Sequence, residues 1–211
     1  MYRLRDLSAL PEIVTRTAKR LEERHGNSVE ITTFTSRDLG RTSEKEFILR
    51  VYNDAWSENW GFIPMTMEDL DYLIRELKPI GDLDFFYRVR KDGEPAAVML
   101  NLPDIYEILR RIPGGRLLPW GIFRLLFQQK TIRTGVIIIT GVRRKFHKQG
   151  IELMILNRLF EDNIRKGCVD TIETTWVLED NRAIIKTLES FEATLSRKLV
   201  ILKKGLEGDQ P

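Results

Sequence analysis

The 211-residue chain has one cysteine, two histidines and little excess of either charge. A single cysteine excludes an intrachain disulfide and favours a reducing compartment, so we expect a cytoplasmic protein. Two histidines and one cysteine offer no zinc-ligand spacing, so no metal site is predicted. The apolar segment at 117–127 is interrupted by Arg124. It is much shorter than the ~20 residues of a spanning helix, so no membrane span is expected.

The net charge is small, because 34 Lys and Arg face 31 Asp and Glu and leave a formal charge of +3. So small an excess does not by itself indicate nucleic acid, whose binding needs cations gathered on one face. A local group does exist, however. A nucleic-acid-binding domain therefore stays open as an alternative that would use Arg133, Arg143, Arg144, Lys145 and Lys148.

Hydrophobic periodicity predicts a mixed sheet covered by helices on both faces. Asp92-Gly93 predicts a tight hairpin turn, and Ser43 with Glu46 predicts the capped start of a helix. The predicted strands are 29–35, 85–90, 96–100, 136–140, 169–177 and 195–202, and the predicted helices are 6–25, 43–56, 66–77, 104–111, 121–129, 151–164 and 181–191. This order indicates an α/β fold with a central sheet of six to seven strands.

A basic turn joins the predicted strand at 136–140 to the predicted helix at 151–164. The free amides and positive dipole of a helix N-terminus attract phosphate, and Gly150 lets a ligand approach the backbone closely. Arg143, Arg144, Lys145 and Lys148 add positive charge to the turn. The segment therefore predicts a pyrophosphate site, with a solvated basic loop as the alternative.

This segment resembles motif A of the GNAT superfamily, the acetyl-CoA-dependent N-acetyltransferases. In that motif a strand is followed by Gln/Arg-x-x-Gly-x-Gly/Ala and a helix. The matching residues are His147-Lys148-Gln149-Gly150-Ile151-Glu152 after Gly141-Val142, with His147 in place of Gln/Arg and Glu152 in place of the last small residue. A second stretch, Trp176-Val-Leu-Glu-Asp-Asn181, is similar to the family's loop Asn before a helix. The resemblance covers about residues 29–203 and is nearest to a poorly characterised bacterial branch.

The resemblance implies that acetyl-CoA is the cofactor and that its pantetheine lies between the splayed fourth and fifth strands. It assigns cofactor binding to Ile139, Thr140, Gly141, Val142, His147, Lys148, Gln149, Gly150, Ile151 and Asn181, and the acceptor pocket to Trp56, Asn59 and Trp60. Glu173 is the candidate base, and an ordinary solvated carboxylate is the alternative. The family's proton-donating tyrosine falls near Leu188, which cannot donate a proton.

The expected function is transfer of an acetyl group from acetyl-CoA to a primary amine of a small molecule or peptide. A catalytically silent GNAT-fold module, forming half of a larger protein, is the alternative within the same fold. We expect a leading helix or linker at 1–27, a GNAT-like domain at 28–204 and a polar tail at 205–211. An attached N-terminal domain or a homodimer would be the protein partner. For the segment 117–127, packing over the sheet is favoured over a pocket cover, a dimer contact or a membrane contact.

Overall fold

The computed structural model describes residues 1–5, 7, 10–59, 61–77, 85–112, 131–167, 169–200 and 202. The predicted helix at 121–129 and the apolar segment at 117–127 lie outside the described residues. The strands are β1 Tyr2–Arg5, β2 Val29–Thr33, β3 Phe86–Lys91, β4 Glu94–Pro103, β5 Thr134–Val142, β6 Thr171–Thr174 and β7 Thr194–Leu195. The helices are α1 Glu12–His25, α2 Thr42–Ala55, α3 Met67–Leu77, α4 Tyr106–Leu109, α5 Ile151–Lys166 and α6 Arg182–Ser190.

All seven strands belong to one sheet with the order β2-β3-β4-β5-β6-β1-β7. Strands β5 and β6 pair in parallel, as a strand–helix–strand crossover through α5 requires, and the other neighbours are antiparallel. The prediction of a mixed α/β sheet of six to seven strands is therefore confirmed.

Helices cover both faces of this sheet and form two apolar clusters. On one face, here called the α2 face, Phe47 and Val51 of α2 pack with Leu70 of α3 against β3 and β4. On the other, the α5 face, Ile155 and Leu159 of α5 pack with residues of α1, α6 and the central strands. Helices α1, α2, α3 and α5 thus bury residues spaced three or four apart, as periodicity predicts.

The N-terminal residues contribute a strand that the sequence does not predict. Strand β1 lies between β6 and β7 and is antiparallel to both. The sequence predicts a helix over 6–25, but α1 begins only at Glu12, after Pro11. A proline disfavours helical conformation in the residue before it, which accounts for the late start. Part of the segment 1–27 is therefore a strand inside the sheet rather than a leading helix alone.

Other boundaries also differ from the sequence prediction. Helix α2 begins at Thr42 with Arg41 at the cap position and no side-chain cap, so the predicted capping by Ser43 is wrong. The last strand has two residues rather than eight, and the chain beyond it exposes apolar side chains, with Val200 70% exposed. The Asp92-Gly93 turn is confirmed: both residues have positive φ, 51° and 77°.

Candidate functional site

Strands β5 and β6 separate in the middle of the sheet. Leu100 of β4 pairs with Ile139 of β5, whereas the next residue, Asn101, pairs with Ile137. Ile138 is therefore an extra, bulged residue, and a bulge bends its strand and increases its twist. The parallel pairing ends at the same level, with Ile137 opposite Thr174.

Beyond this level β5 continues while β6 stops. The last backbone hydrogen bond runs from the Thr175 amide to the Ile137 carbonyl, at 3.1 Å. Within the described residues, no backbone–backbone hydrogen bond joins 138–142 to 175–180. Ile138 and Trp176, on either side of the gap, are 39% and 61% exposed. The result is an opening, bounded by 138–142 and 175–180, whose β5 edge is not paired with the backbone of 175–180. The Ile138 carbonyl at its inner end accepts a hydrogen bond from Thr175 Oγ1, at 3.3 Å.

The bulge shifts by one residue the alternation of β5 side chains between the two faces of the sheet. Ile137 packs in the α5-face cluster, Ile139 against the α2-face cluster and Val142 again in the α5-face cluster. Thr140 shares the α5 face with Val142, and its buried Oγ1 has no hydrogen-bond partner among the described residues. The predicted cofactor residues 139–142 therefore lie along the β5 edge of the opening, with side chains on both faces of the sheet.

A compact turn leads from β5 into α5. Lys148 and Gly150 adopt left-handed backbone conformations, with φ of 62° and 80°. The His147 ring donates from Nε2 to the Val142 carbonyl, 2.9 Å away, and so closes the turn on the strand end. Ile151, the first residue of α5, is fully buried. The amides at the start of α5 thus lie directly beyond the opening.

Helix α1 holds this turn from the α5 face. A Cβ on Gly150 would lie 2.6 Å from Leu21 Cδ1, so any other residue here would push the Leu21 side chain aside. His25 Nε2 donates to the carbonyl oxygen of Gln149, at 2.9 Å. The sequence did not indicate that the leading helix supports the predicted phosphate turn.

Two arginines of the turn are already engaged by α2 and the loop after it. The backbone amide of Arg144 donates to Asp54 Oδ2, at 2.7 Å, and its guanidinium pairs with Glu58 at 2.5 Å. The Arg143 guanidinium donates to the Pro95 carbonyl at 2.9 Å and lies 3.9 Å from Asp54. These contacts fix the turn and neutralise much of its charge.

The remaining cations differ in availability. Lys145 forms an ion pair with Glu94, and this hydrogen bond lowers the pKa of the Glu94 carboxyl. Arg133 likewise pairs with Asp170, at 2.5 Å, and lowers the pKa of that carboxyl. Lys148 has no ion pair within the described part of the chain and is exposed. The cations that a nucleic-acid surface would use are therefore mostly matched by carboxylates.

Trp56 lies against the β5 edge on the α2 face. A Cβ on Gly141 would lie 2.3 Å from the Trp56 ring, so this ring rests directly on the strand's backbone. Tyr52 stacks on the other side of the indole, with ring centroids 4.9 Å apart. The backbone amide of Asn59 donates to the Trp56 carbonyl, at 2.9 Å. Trp60 lies outside the described residues. The structure thus brings one predicted acceptor residue, Trp56, against a predicted cofactor residue.

Glu173 lies one residue before the end of β6 and is 9% exposed. Its neighbour Ile172 packs in the α5-face cluster, so Glu173 is on the α2 face. Two nitrogens of Arg3, directly opposite on β1, bind the same carboxylate oxygen. The alternative of an ordinary solvated carboxylate is therefore wrong. The sequence gives no sign of Arg3 at this site, because its partner is 170 residues away.

The loop Asn and the position of the family's tyrosine lie on α6. Asn181 is the N-cap of α6, and its Oδ1 accepts a hydrogen bond from the Ile184 amide at 3.3 Å. Leu188 is 1% exposed and belongs to the α5-face core. Position 188 therefore supplies packing and no proton donor.

Two features are absent from the described residues, a metal-binding cluster and a membrane-spanning helix. No cluster of three or more His, Cys, Asp or Glu side chains that could hold a metal ion occurs there. Among the same residues, no helix has both the length and the apolar character needed to cross a bilayer.

No family model matches the sequence. Over 211 residues, covering 97% of this chain and 53% of the relative, the chain is 28% identical to the "Bacterial ceramide synthase" of Caulobacter vibrioides. It is 30% identical to "Protein YghO" of Escherichia coli over 172 residues, covering 79% of this chain and 44% of that protein. The chain thus spans about half the length of the curated relatives it matches.

The comparison with solved structures concerns the fold. A GCN5-related N-acetyltransferase from Sphaerobacter thermophilus superimposes with a TM-score of 0.53 at 15% identity, covering 86% of this chain and 53% of the other. At this identity the likeness establishes architecture alone. The chain therefore has the fold of the GCN5-related N-acetyltransferases, which confirms the resemblance drawn from the residues around Gly150 and Asn181.

Proposed function

We propose that this domain binds an acyl-CoA and transfers its acyl group to an amine. The opening between β5 and β6 is the observation that carries the proposal. It offers a strand edge over 138–142 that has no backbone partner in 175–180, beside a turn whose amides face away from the helix they begin. A long, narrow ligand with amides at one end and a diphosphate at the other matches this combination.

The residues present fit coenzyme A. The backbone of 139–142 would pair with the pantetheine amides in place of the missing β6 residues. The amides of 148–151 and the Lys148 ammonium would hold the diphosphate. Thr140 Oγ1, buried without a partner in the described part of the chain, supplies a further polar contact at the same edge. When bound, coenzyme A supplies the activated thioester.

The acyl group that we propose is long. A ceramide is the amide of a fatty acid with a long-chain amino alcohol, and one relative of the chain is named a bacterial ceramide synthase. Ile138 and Trp176 expose apolar surface at the opening, where an acyl chain would leave the thioester. Acetyl-CoA, the donor that the sequence resemblance implies, is the short-chain alternative.

The mechanism needs an uncharged amine, and a group to accept its proton. Glu173, held by Arg3 on the α2 face, is the carboxylate nearest the level of the opening on β6. We propose that it accepts this proton, directly or through one water. Trp56, packed on Gly141, would wall the side from which the amine approaches. The indole excludes water there and keeps the amine close to the thioester.

A second candidate is a catalytically silent module that binds acyl-CoA. The buried Leu188 favours it, because the position that gives the family its tyrosine holds a side chain without a proton. Both candidates share the binding site and differ in turnover.

One assay pair separates these candidates. Calorimetry with acetyl-, octanoyl- and palmitoyl-CoA measures binding, and release of free thiol with a long-chain amino alcohol or a short amine measures transfer. Binding with amine-dependent release supports the enzyme, binding alone supports the silent module, and no binding contradicts both. Lys148→Asn, which keeps a residue tolerant of positive φ, should weaken binding about tenfold if one charged phosphate contact is lost. The matched control Lys19→Asn, on the exposed side of α1, should leave affinity unchanged.

A further inference from the structure

Acyl transfer releases a thiolate that must be protonated, and the structure offers one tyrosine for this step. The inference rests on the proposed function. Position 188 cannot donate, since Leu188 is a buried core residue. The donor must therefore come from another element that reaches the level where β5 and β6 part.

Strand β1 brings Tyr2 to this level. Tyr2 pairs with Leu195 of β7, and its amide donates to Thr174 Oγ1 at 2.9 Å. Thr174 pairs in turn with Ile137 of β5. These four residues form one row across the sheet, and it is the last paired row before the opening.

Tyr2 also lies on the same face of the sheet as Leu188, which occupies the position of the family's tyrosine. Residues two apart on a strand share a face, and Leu4 is 2% exposed in the α5-face cluster. The Tyr2 ring packs against this cluster, to which Leu188 belongs. The phenol hydroxyl has no hydrogen-bond partner among the described residues, so its proton is not committed elsewhere.

The other four tyrosines of the chain are placed differently. The hydroxyl of Tyr87 is buried and donates to Asp162 at 3.0 Å. Tyr106 follows the far end of β4, and Tyr72 is exposed on α3. Tyr52 lies on the α2 face, stacked on the Trp56 indole.

We propose that Tyr2 is the proton donor to the leaving thiolate. The amine nitrogen bonds to the thioester carbonyl carbon, and the carbon–sulfur bond breaks with its electron pair passing to sulfur. The Tyr2 hydroxyl proton then passes to this sulfur and gives the free thiol of coenzyme A. Glu173 takes the proton that the amine loses, and solvent returns a proton to the phenolate. The N-terminal strand thus supplies the function that α6 lacks.

The test is Tyr2→Phe in the full chain, which keeps the ring's packing and removes only the hydroxyl. We expect kcat for thiol release to fall about 100-fold, the usual scale of general acid catalysis, with the calorimetric Kd for acyl-CoA within twofold of wild type. Tyr72→Phe, on an exposed face of α3, is the matched control and should keep wild-type kcat.

A second acyl donor separates catalysis from a structural effect. With an S-acyl para-nitrothiophenol the leaving thiolate is stable without a proton, so wild type and Tyr2→Phe should react at equal rates. If Tyr2→Phe loses as much activity with this donor as with acyl-CoA, the proposal is contradicted. It is also contradicted if Tyr2→Phe keeps the wild-type kcat with acyl-CoA, or if a third variant, Tyr52→Phe, loses activity while Tyr2→Phe does not. A wild-type chain without any transfer would instead overturn the proposed function, and the inference with it.

Discussion

Gly141→Ala tests how α2 closes against the edge of the opening. The added Cβ would lie 2.3 Å from two atoms of the Trp56 ring and 3.1 Å from the Ala55 Cβ. An ordinary carbon contact is ~3.5 Å, so the indole must move by about 1 Å. Overpacking of this size costs about 1–3 kcal/mol. Because φ at Gly141 is not in the left-handed region, the cost is steric and not conformational.

A double-mutant cycle isolates this steric cost. In a Trp56→Ala background the clash with the indole is absent and only the 3.1 Å approach to the Ala55 Cβ remains. Gly141→Ala should then be neutral to within about 1 kcal/mol, because the usual gain from replacing a strand glycine offsets this closer contact. The coupling free energy between the two positions should therefore be about 1–3 kcal/mol. Urea unfolding followed by circular dichroism measures all four free energies of unfolding.

The control is Gly40→Ala, where an added Cβ meets no atom within 4 Å and φ is ordinary. It should change the free energy of unfolding by less than about 1 kcal/mol. If Gly141→Ala destabilises the Trp56→Ala background as much as wild type, the indole does not rest on β5. The placement of Trp56 beside the opening would then be refuted.

Three further predictions concern stability. Gly150→Ala should lower the free energy of unfolding in urea by about 2–4 kcal/mol, and Gly167→Ala by about 1–2 kcal/mol. Both glycines have positive φ, but only Gly150 also meets a leucine of α1. Equal costs would contradict the contact between Gly150 and Leu21. Arg3→Met should lower the free energy of unfolding by about 1.5–3 kcal/mol, and Asp170→Asn by less than about 1 kcal/mol. The reason is that the Arg3–Glu173 pair is shielded from solvent and the Arg133–Asp170 pair is not. The reverse order would contradict the pairing of β1 with β6. Hydrogen bonds from the backbone amide and the hydroxyl of Thr35 lower the pKa of the Asp38 carboxyl below 3.8. The excess stability of wild type over Asp38→Asn should therefore be complete above pH 3.8 and be lost as the pH falls below it. An excess that is unchanged at about pH 2 would refute this.

Local chemistry was the part that the sequence predicted well. The Asp92-Gly93 hairpin follows from two residues that tolerate positive φ, and α5 follows from apolar spacing and its glycine ends. The turn at which a phosphate site is predicted does join a strand to a helix N-terminus, because Gly150 opens a helix after an apolar strand. The positive φ of Lys148 was not foreseen, since lysine gives no sign of a left-handed conformation.

Features that depend on distant pairing could not be read from the chain. Strand β1 alternates Tyr2, Leu4 against Arg3, but four residues are too few to predict a strand without their partners some 170 residues away. The bulge at Ile138 is hidden because it lies within a run of apolar residues that looks uniform. Both features shape the candidate site, and both are set by the sheet as a whole.

The central claim is that the gap between 138–142 and 175–180 accepts the pantetheine arm of coenzyme A. A crystal structure of the chain soaked with coenzyme A tests it most directly. We expect continuous ligand density in the gap, hydrogen-bonded to the β5 backbone, with the diphosphate on the amides at the start of α5. Strands β5 and β6 paired along their whole length, or coenzyme A bound elsewhere, would contradict the account.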